Sequence, residues 1–275
     1  MEWEKAKNLI LLFFVLLNIA LAGYLFAENR RYTVSAEHED IIRTVLARHD
    51  ITMETDMIRR FPPMRALRIS GYYYDEDMLT GIFFGDDSRV IREETPFGVD
   101  FTLGNAQMWI TDGFVTYFNP DGLDTTAESI IARHFPEFVL DEFFTPHDEE
   151  GRRIVYRQSY RGHIIYSNVI EFLVTDAGII EVDMQFGRVH GFDDLERSLF
   201  APDEALITFM QRAHTLLGTQ PKTIWHMDIV YVLEFAKASD ERGSSYLAIP
   251  FYRIFIRCSE LPFLINAYMN ISIDA

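Results

Sequence analysis

Apolar and polar positions divide this chain unevenly. From Asn8 to Ala27, twenty consecutive residues carry no charge and are mostly Leu, Phe, Ile, Val and Ala. At about 1.5 Å rise per residue, a helix of that length spans roughly 30 Å, the thickness of a bilayer's hydrocarbon core. The pattern predicts a transmembrane helix over 8–27, preceded by a cytoplasmic tail at 1–7. Trp3 and Tyr24 stand near its two ends, as interfacial aromatics do. A cleaved signal peptide is the competing reading, with Lys5 and Lys7 as the basic region, Leu9–Leu17 as the apolar region and Ala20-Leu21-Ala22 as the cleavage site. The apolar run continues beyond that site to Ala27, before Arg30 and Arg31 stop it, which favours an uncleaved anchor. Both readings place the rest of the chain outside the cytoplasm. Lys5 and Lys7 nearly balance Arg30 and Arg31, so charge alone does not orient the span. The short tail favours a cytoplasmic N-terminus and an exported ectodomain on a single-pass cell-membrane protein.

Inside the span, Asn18 is the strongly polar residue. It forms an i, i+4 stripe with Ala22, beside Gly23. Small and amide residues let a second helix approach closely and hydrogen-bond. Asn18, Ala22 and Gly23 are therefore the predicted helix–helix contact.

After Arg31 the pattern becomes that of a soluble protein. Ser35 reads as an N-cap with Glu37, Glu39 and Asp40 in the first turn, and Ile41, Ile42, Val45 and Leu46 form an apolar stripe. Pro62-Pro63 marks a break, and strands are expected at 67–74 and 80–84. Gln107–Thr111 and Phe114–Phe118 flank Asp112-Gly113, the signature of a two-residue hairpin loop of type I′. Asn119-Pro120-Asp121-Gly122 reads as a turn cluster and a domain boundary. Thr125 and Glu128 suggest a capping box for a helix that ends before Pro136. Residues 147–153 read as a loop. Strands follow at 154–160 and 163–174, joined by a tight Arg161-Gly162 turn, and at 180–186, where Val182, Met184 and Phe186 alternate with polar residues. Pro202-Asp203-Glu204 opens a helix with Leu206, Phe209, Met210, Ala213 and Leu217 as its core stripe and Gly218 as its stop. Long strands at 224–236 and 246–257 flank a polar loop at 239–245. With no βαβ rhythm, the expected class is α+β: two antiparallel sheet-plus-helix domains at 33–122 and 123–269, with a tail at 270–275.

Charge and composition narrow the function. The chain carries −17, and residues 1–31 hold four basic and three acidic side chains, which leaves −18 on the ectodomain. That balance argues against nucleic acid and against a peripheral grip on anionic lipid. Hydrophobic residues make up 48% of the chain, enough for a sizeable core, and the lone Cys258 cannot form an internal disulfide. No phosphate loop, GxSxG, HExxH or CxxC is present. The acidic runs Asp75-Glu76-Asp77, Asp86-Asp87 and Asp193-Asp194 read as solvated turns, and the eight His residues share no helix-face spacing. The reading assigns no catalytic, cofactor-binding or metal residues. Tyr72, Tyr73, Tyr74, Phe83 and Phe84 cluster around one loop and read first as core, second as an interface.

Several segments, taken in order, resemble YycI-type proteins. They are Met1-Glu2-Trp3-Glu4-Lys5-Ala6-Lys7-Asn8 before the apolar span, Glu204-Ala205-Leu206, Trp225–Val232, Ile249-Pro250-Phe251-Tyr252-Arg253-Ile254, and Leu261-Pro262-Phe263-Leu264-Ile265-Asn266-Ala267-Tyr268. Phe251-Tyr252 departs from the pattern, which places a Trp before the Arg-Ile, but keeps an aromatic. The resemblance implies a non-enzymatic membrane accessory protein of low-GC Gram-positive bacteria, without a cofactor. It implies association with a YycH-type companion and with the sensor histidine kinase of the Wal (YycFG) cell-wall two-component system. It implies no catalytic residues. The alternatives are an extracytoplasmic module that binds an envelope ligand or inhibits an enzyme and, more remotely, a wall hydrolase using paired carboxylates.

Overall fold

The computed structural model describes residues 2–72, 74–111, 113–143, 147–148, 151–218, 220–238, 245–257, 259 and 261–273. Helix α1 (Glu2–Arg31) is continuous, and its stretch Ala6–Tyr24 is apolar enough to cross a membrane, with none of it buried against the rest of the protein. A short extended junction leads to α2 (Ala36–Ala47), whose N-cap is Ser35: the hydroxyl oxygen accepts from the His38 N–H at 3.2 Å. Then come β1 (Ile51–Met53), β2 (Met64–Tyr72) and α3 (Glu76–Phe83). A run of antiparallel strands follows: β3 (Ile91–Thr95), β4 (Gly98–Leu103), β5 (Ala106–Thr111) and β6 (Val115–Leu123). Helix α4 (Ala127–His134) precedes β7 (Phe138–Leu140), β8 (His147–Asp148), β9 (Gly151–Tyr160), β10 (His163–Thr175), β11 (Gly178–Gln185) and β12 (Gly187–Arg197). The chain closes with α5 (Pro202–Leu217), β13 (Lys222–Ala238), β14 (Ser245–Ile256), β15 (Phe263–Asn266) and β16 (Ile271–Ile273).

The class is α+β, a mostly antiparallel sheet with a few helices. Among the described residues the main strand order is β12-β2-β14-β13-β10-β11-β6-β5-β4-β3, with the remaining strands attached at its flanks. Only β13 makes parallel pairings there, with β1 and with β10. Two apolar clusters pack on this sheet. The first joins α2 and α5 to β2, β13, β14 and β15 through Leu46, Leu67, Leu206, Phe209, Tyr231 and Tyr252. The second joins α3 and α4 to β5, β6 and β9–β11 through Leu79, Phe83, Met108, Tyr117, Ile131 and Phe172. The first draws on residues 34–69 and 199–267 together with Ile165, and the second on residues 79–184. A third cluster of Ala66, Val230, Val232, Ile249 and Phe251 covers the opposite face of β2, β13 and β14. Strand alternation sends Val230 and Val232 to one face and Tyr231 to the other.

Several expectations meet their match. The β5–β6 hairpin forms with Ile110 opposite Val115, although its turn type rests on Asp112, outside the described residues. Arg161 and Gly162 have φ of 51° and 83°, the positive pair that a type I′ turn requires, and they join β9 to β10. Gly218 ends α5 with φ 76°.

Others are corrected. The strand expected at 80–84 belongs to α3. The Asp75 side chain caps that helix by accepting from the Met78 N–H at 3.0 Å, and Leu79 and Phe83, four apart, bury together. α4 is capped by Thr126 rather than Thr125, through the Ser129 N–H. The 119–122 turn cluster is a bulge within β6. Asn119 holds it with both ends of its amide, accepting from the Asp121 N–H and donating to the Gly122 carbonyl, where β6 slips against β11. The 147–153 loop contains the pairing of β8 with β9, and the expected 270–275 tail contains β16, which pairs with β15.

Candidate functional site

The predicted contact residues lie on the outer surface of α1, and all three are exposed. Helix geometry, about 100° per residue, sets Ala22 about 40° from Asn18 and Gly23 about 140° away. Asn18 and Ala22 thus share a stripe, while Gly23 flanks it. The Asn18 amide donates to the Phe14 carbonyl at 2.8 Å, which satisfies one of its hydrogens within the helix. That bond does not use the amide oxygen, which is the acceptor a neighbouring helix would need.

Backbone hydrogen bonds join the segment after α1 to the sheet domain. Thr33 forms an antiparallel bridge with Arg60, the Val34 N–H donates to the Arg59 carbonyl at 2.8 Å, and the Phe61 N–H donates to the Tyr32 carbonyl at 3.1 Å. The Tyr32 and Phe61 rings meet edge to face. Behind this junction sits Glu39, read from sequence as a first-turn surface acid but buried in the structure. Its carboxylate accepts from the Arg43 guanidinium (2.8 Å and 3.2 Å), from Arg59 Nε (3.0 Å) and from the Met57 N–H (3.3 Å). The Arg43 hydrogen bonds, helped by Arg59 and Met57, outweigh burial and hold the Glu39 carboxyl below its ordinary value of 4.5. Arg43 also donates to the Met53 and Thr55 carbonyls, so one ion cluster ties α2 to the segment on which the anchor rests.

A second buried charge cluster lies on the far face of β13 and β14. Arg253 is 1% exposed and binds Asp228 with two parallel hydrogen bonds of 2.9 Å and 2.6 Å. One oxygen of Asp141 accepts from Arg253 Nη1 at 2.7 Å and from Arg157 Nε at 2.6 Å. Arg157 also donates to the Tyr166 carbonyl, and its guanidinium lies 3.8 Å from the centre of the Tyr166 ring. Burial alone would raise the Asp228 carboxyl, but Arg253 and then His226 hold it below its usual range. Phe143 stacks flat on the His226 ring at 3.6 Å. The two arginines and two carboxylates cancel in charge. The cluster clamps β14, β13, β9 and the segment after β7 together.

The acidic runs are engaged locally. Asp75 is the α3 cap, and Asp87 binds the Arg89 side chain and N–H, which brings its pKa down to about 2. Asp193 and Asp194 lie in β12. Carboxylates do gather at Glu171, Glu181 and Asp183, half-buried on one sheet face beside Arg153, which binds Glu171 at 2.7 Å. Burial first, and Asp183 second, raises the Glu181 carboxyl. The alternation along β11 marked this face as wet, but only the β10–β11 register brings Glu171 opposite Asp183. Among the described residues no three His, Cys, Asp or Glu side chains converge on a metal-sized point. Cys258 and Tyr73 lie outside the described residues. Phe83 and Phe84 are core residues that pack on Tyr117, and the Tyr74 hydroxyl donates to the Gly113 carbonyl at 2.9 Å.

No protein-family model and no curated protein matches this chain. Solved structures do. An uncharacterized protein from Eubacterium rectale ATCC 33656 aligns over 82% of this chain and 90% of its own, with a TM-score of 0.52 at 9% identity. The C-terminal domain of Bacillus megaterium YpeB aligns over 74% of this chain and 97% of its own, with a TM-score of 0.42 at 10% identity. The first likeness speaks for the fold alone, and the second is too slight to carry an argument.

Proposed function

We propose that this protein is a membrane-anchored, non-catalytic regulator of the sensor histidine kinase of the Wal (YycFG) system. In this reading it acts with a YycH-type companion, its N-terminus lies in the cytoplasm and its ectodomain outside. The resemblance to YycI-type proteins motivates the choice of partner. The observation that carries the mechanism is the anchor itself. Ala6–Tyr24 is apolar, wholly unburied and continuous to Arg31, where backbone hydrogen bonds fix it to the ectodomain. A rotation or tilt imposed on the ectodomain would therefore reach the membrane stripe of Asn18 and Ala22, where a kinase helix would pack. Replacing residues 8–27 with an unrelated apolar span is expected to alter kinase output in cells while leaving the amount of membrane-bound protein unchanged. Unaltered output would move the activity to the ectodomain. That second reading, an extracytoplasmic binding module, draws support from Phe97, 83% exposed between β3 and β4.

A further inference from the structure

Net charge averages over a surface, and this surface is uneven where it meets the membrane. Beside the junction a cleft of about 450 Å³ opens, with Arg60 and Arg65 among its lining residues. Both arginines are exposed, and neither lies within 4 Å of a carboxylate among the described residues. Arg161, also exposed, stands over the ring of Phe192, which lines the cleft. The opposing charge is Glu196, a cleft residue paired with Arg65 across the β2–β12 ladder. Arg60 and Arg65 thus line the cleft without an ion-pair partner among the described residues, with Glu196 on its wall and Asp193 and Asp194 in the β12 bulge between Phe192 and Glu196.

The interior is built of rings. His163 and Tyr231 meet edge to face, and so do His163 and Phe192, while the Tyr231 hydroxyl is occupied by the Arg65 carbonyl at 2.8 Å. Burial lowers the His163 pKa, so near neutral pH its ring is an uncharged hydrogen-bonding group rather than a fourth cation.

Position then selects the occupant. Arg60 is bridged to Thr33, two residues past the end of α1. Four helical residues carry the chain about 6 Å from Ala27 to Arg31, and Tyr32 and Thr33 add up to about 7 Å, so Arg60 stands about 6–13 Å beyond the apolar run, from where a long arginine side chain reaches back toward the headgroups. The polar headgroup layer is about 5–8 Å deep on each side of a bilayer. Carboxylates more than about 8 Å away are screened by physiological salt.

We propose that this cleft seats the anionic phosphate headgroup of a lipid in the bilayer that holds the anchor. Arg60, Arg65 and Arg161 meet the phosphate, and the Phe192 ring and Pro62 cover the glycerol and first methylenes. The inference needs the anchor in a membrane and does not depend on the kinase.

The test places the full-length chain in nanodiscs of phosphatidylcholine alone or mixed with phosphatidylglycerol, and measures amide exchange. With phosphatidylglycerol, exchange across 58–66, 160–165 and 189–196 is expected to slow by about tenfold, the scale set by a few arginines at an anionic surface. R60E/R65E should lose that protection and R60K/R65K should keep most of it, with exchange of β5 and β6 reporting an intact fold in both. Equal exchange in the two membranes, or protection that survives R60E/R65E, overturns the proposal. So does equal protection from inorganic phosphate added to phosphatidylcholine discs, which would make the occupant a soluble anion.

Discussion

Glu39 and Arg253 carry opposite lessons about buried charge. Glu39 serves two arginines and a backbone N–H behind the anchor junction, and both arginines keep part of their surface in water. Glu39→Gln is expected to lower stability by about 1–2 kcal/mol, a modest figure because solvent screens those arginines. Its folded pKa is depressed, so its contribution is full above the unfolded value of 4.5 and is lost as pH falls through the folded value. Denaturant titrations at neutral pH and below pH 4.5 check this: the gap between wild type and Glu39→Gln should narrow in acid. Arg253 has no such relief, since it and Asp141 are both about 1% exposed. Arg253→Met would take both guanidinium bonds from Asp228 and leave Asp141 to Arg157 alone, at a cost of about 3–5 kcal/mol in the same titration. Replacing Asp141, Asp228, Arg157 and Arg253 together by apolar residues of similar volume should recover much of that loss.

At the scale of elements, local chemistry decided where periodicity misled. Thr80–Phe84 reads as β-branched and aromatic, yet Asp75 and the Leu79/Phe83 pair make it the end of a helix. Asp75→Ala should remove about 1 kcal/mol of that helix's stability, seen as a lower melting temperature and faster amide exchange at the head of α3. The capping signal was in the sequence, hidden inside a run of acids read as a solvated turn. The strands read most truly were those with strict alternation and a specific turn, above all β5–β6, β9–β10 and β11. Strands β3, β12 and β16 were not legible: all three sit at edges, and β12 owes its pairing to β2, far away in sequence. Asn119–Gly122 shows the same limit. Its residues are turn formers, but whether they end a strand or bulge it depends on β11 across the sheet. Glu39 looked like an ordinary first-turn acid because nothing local announces that Arg59 and Met57 fold over it. The cleft's arginines are separated by nearly a hundred positions, Arg60 and Arg65 from Arg161, and a net charge of −17 conceals them.

At the scale of the whole molecule, one continuous helix enters a sheet-based domain at a hydrogen-bonded joint, and the joint sits against a buried ion cluster and a cleft with arginines on its wall. The central claim, that the anchor recognises a kinase, is tested most directly by affinity capture from native membranes. The full-length protein is compared with a version whose residues 8–27 are replaced by an unrelated apolar span. The account predicts that a histidine kinase accompanies the native chain and is depleted at least about tenfold with the replaced span, a coupling of about 1.4 kcal/mol or more. Equal recovery of the kinase with both chains would contradict it.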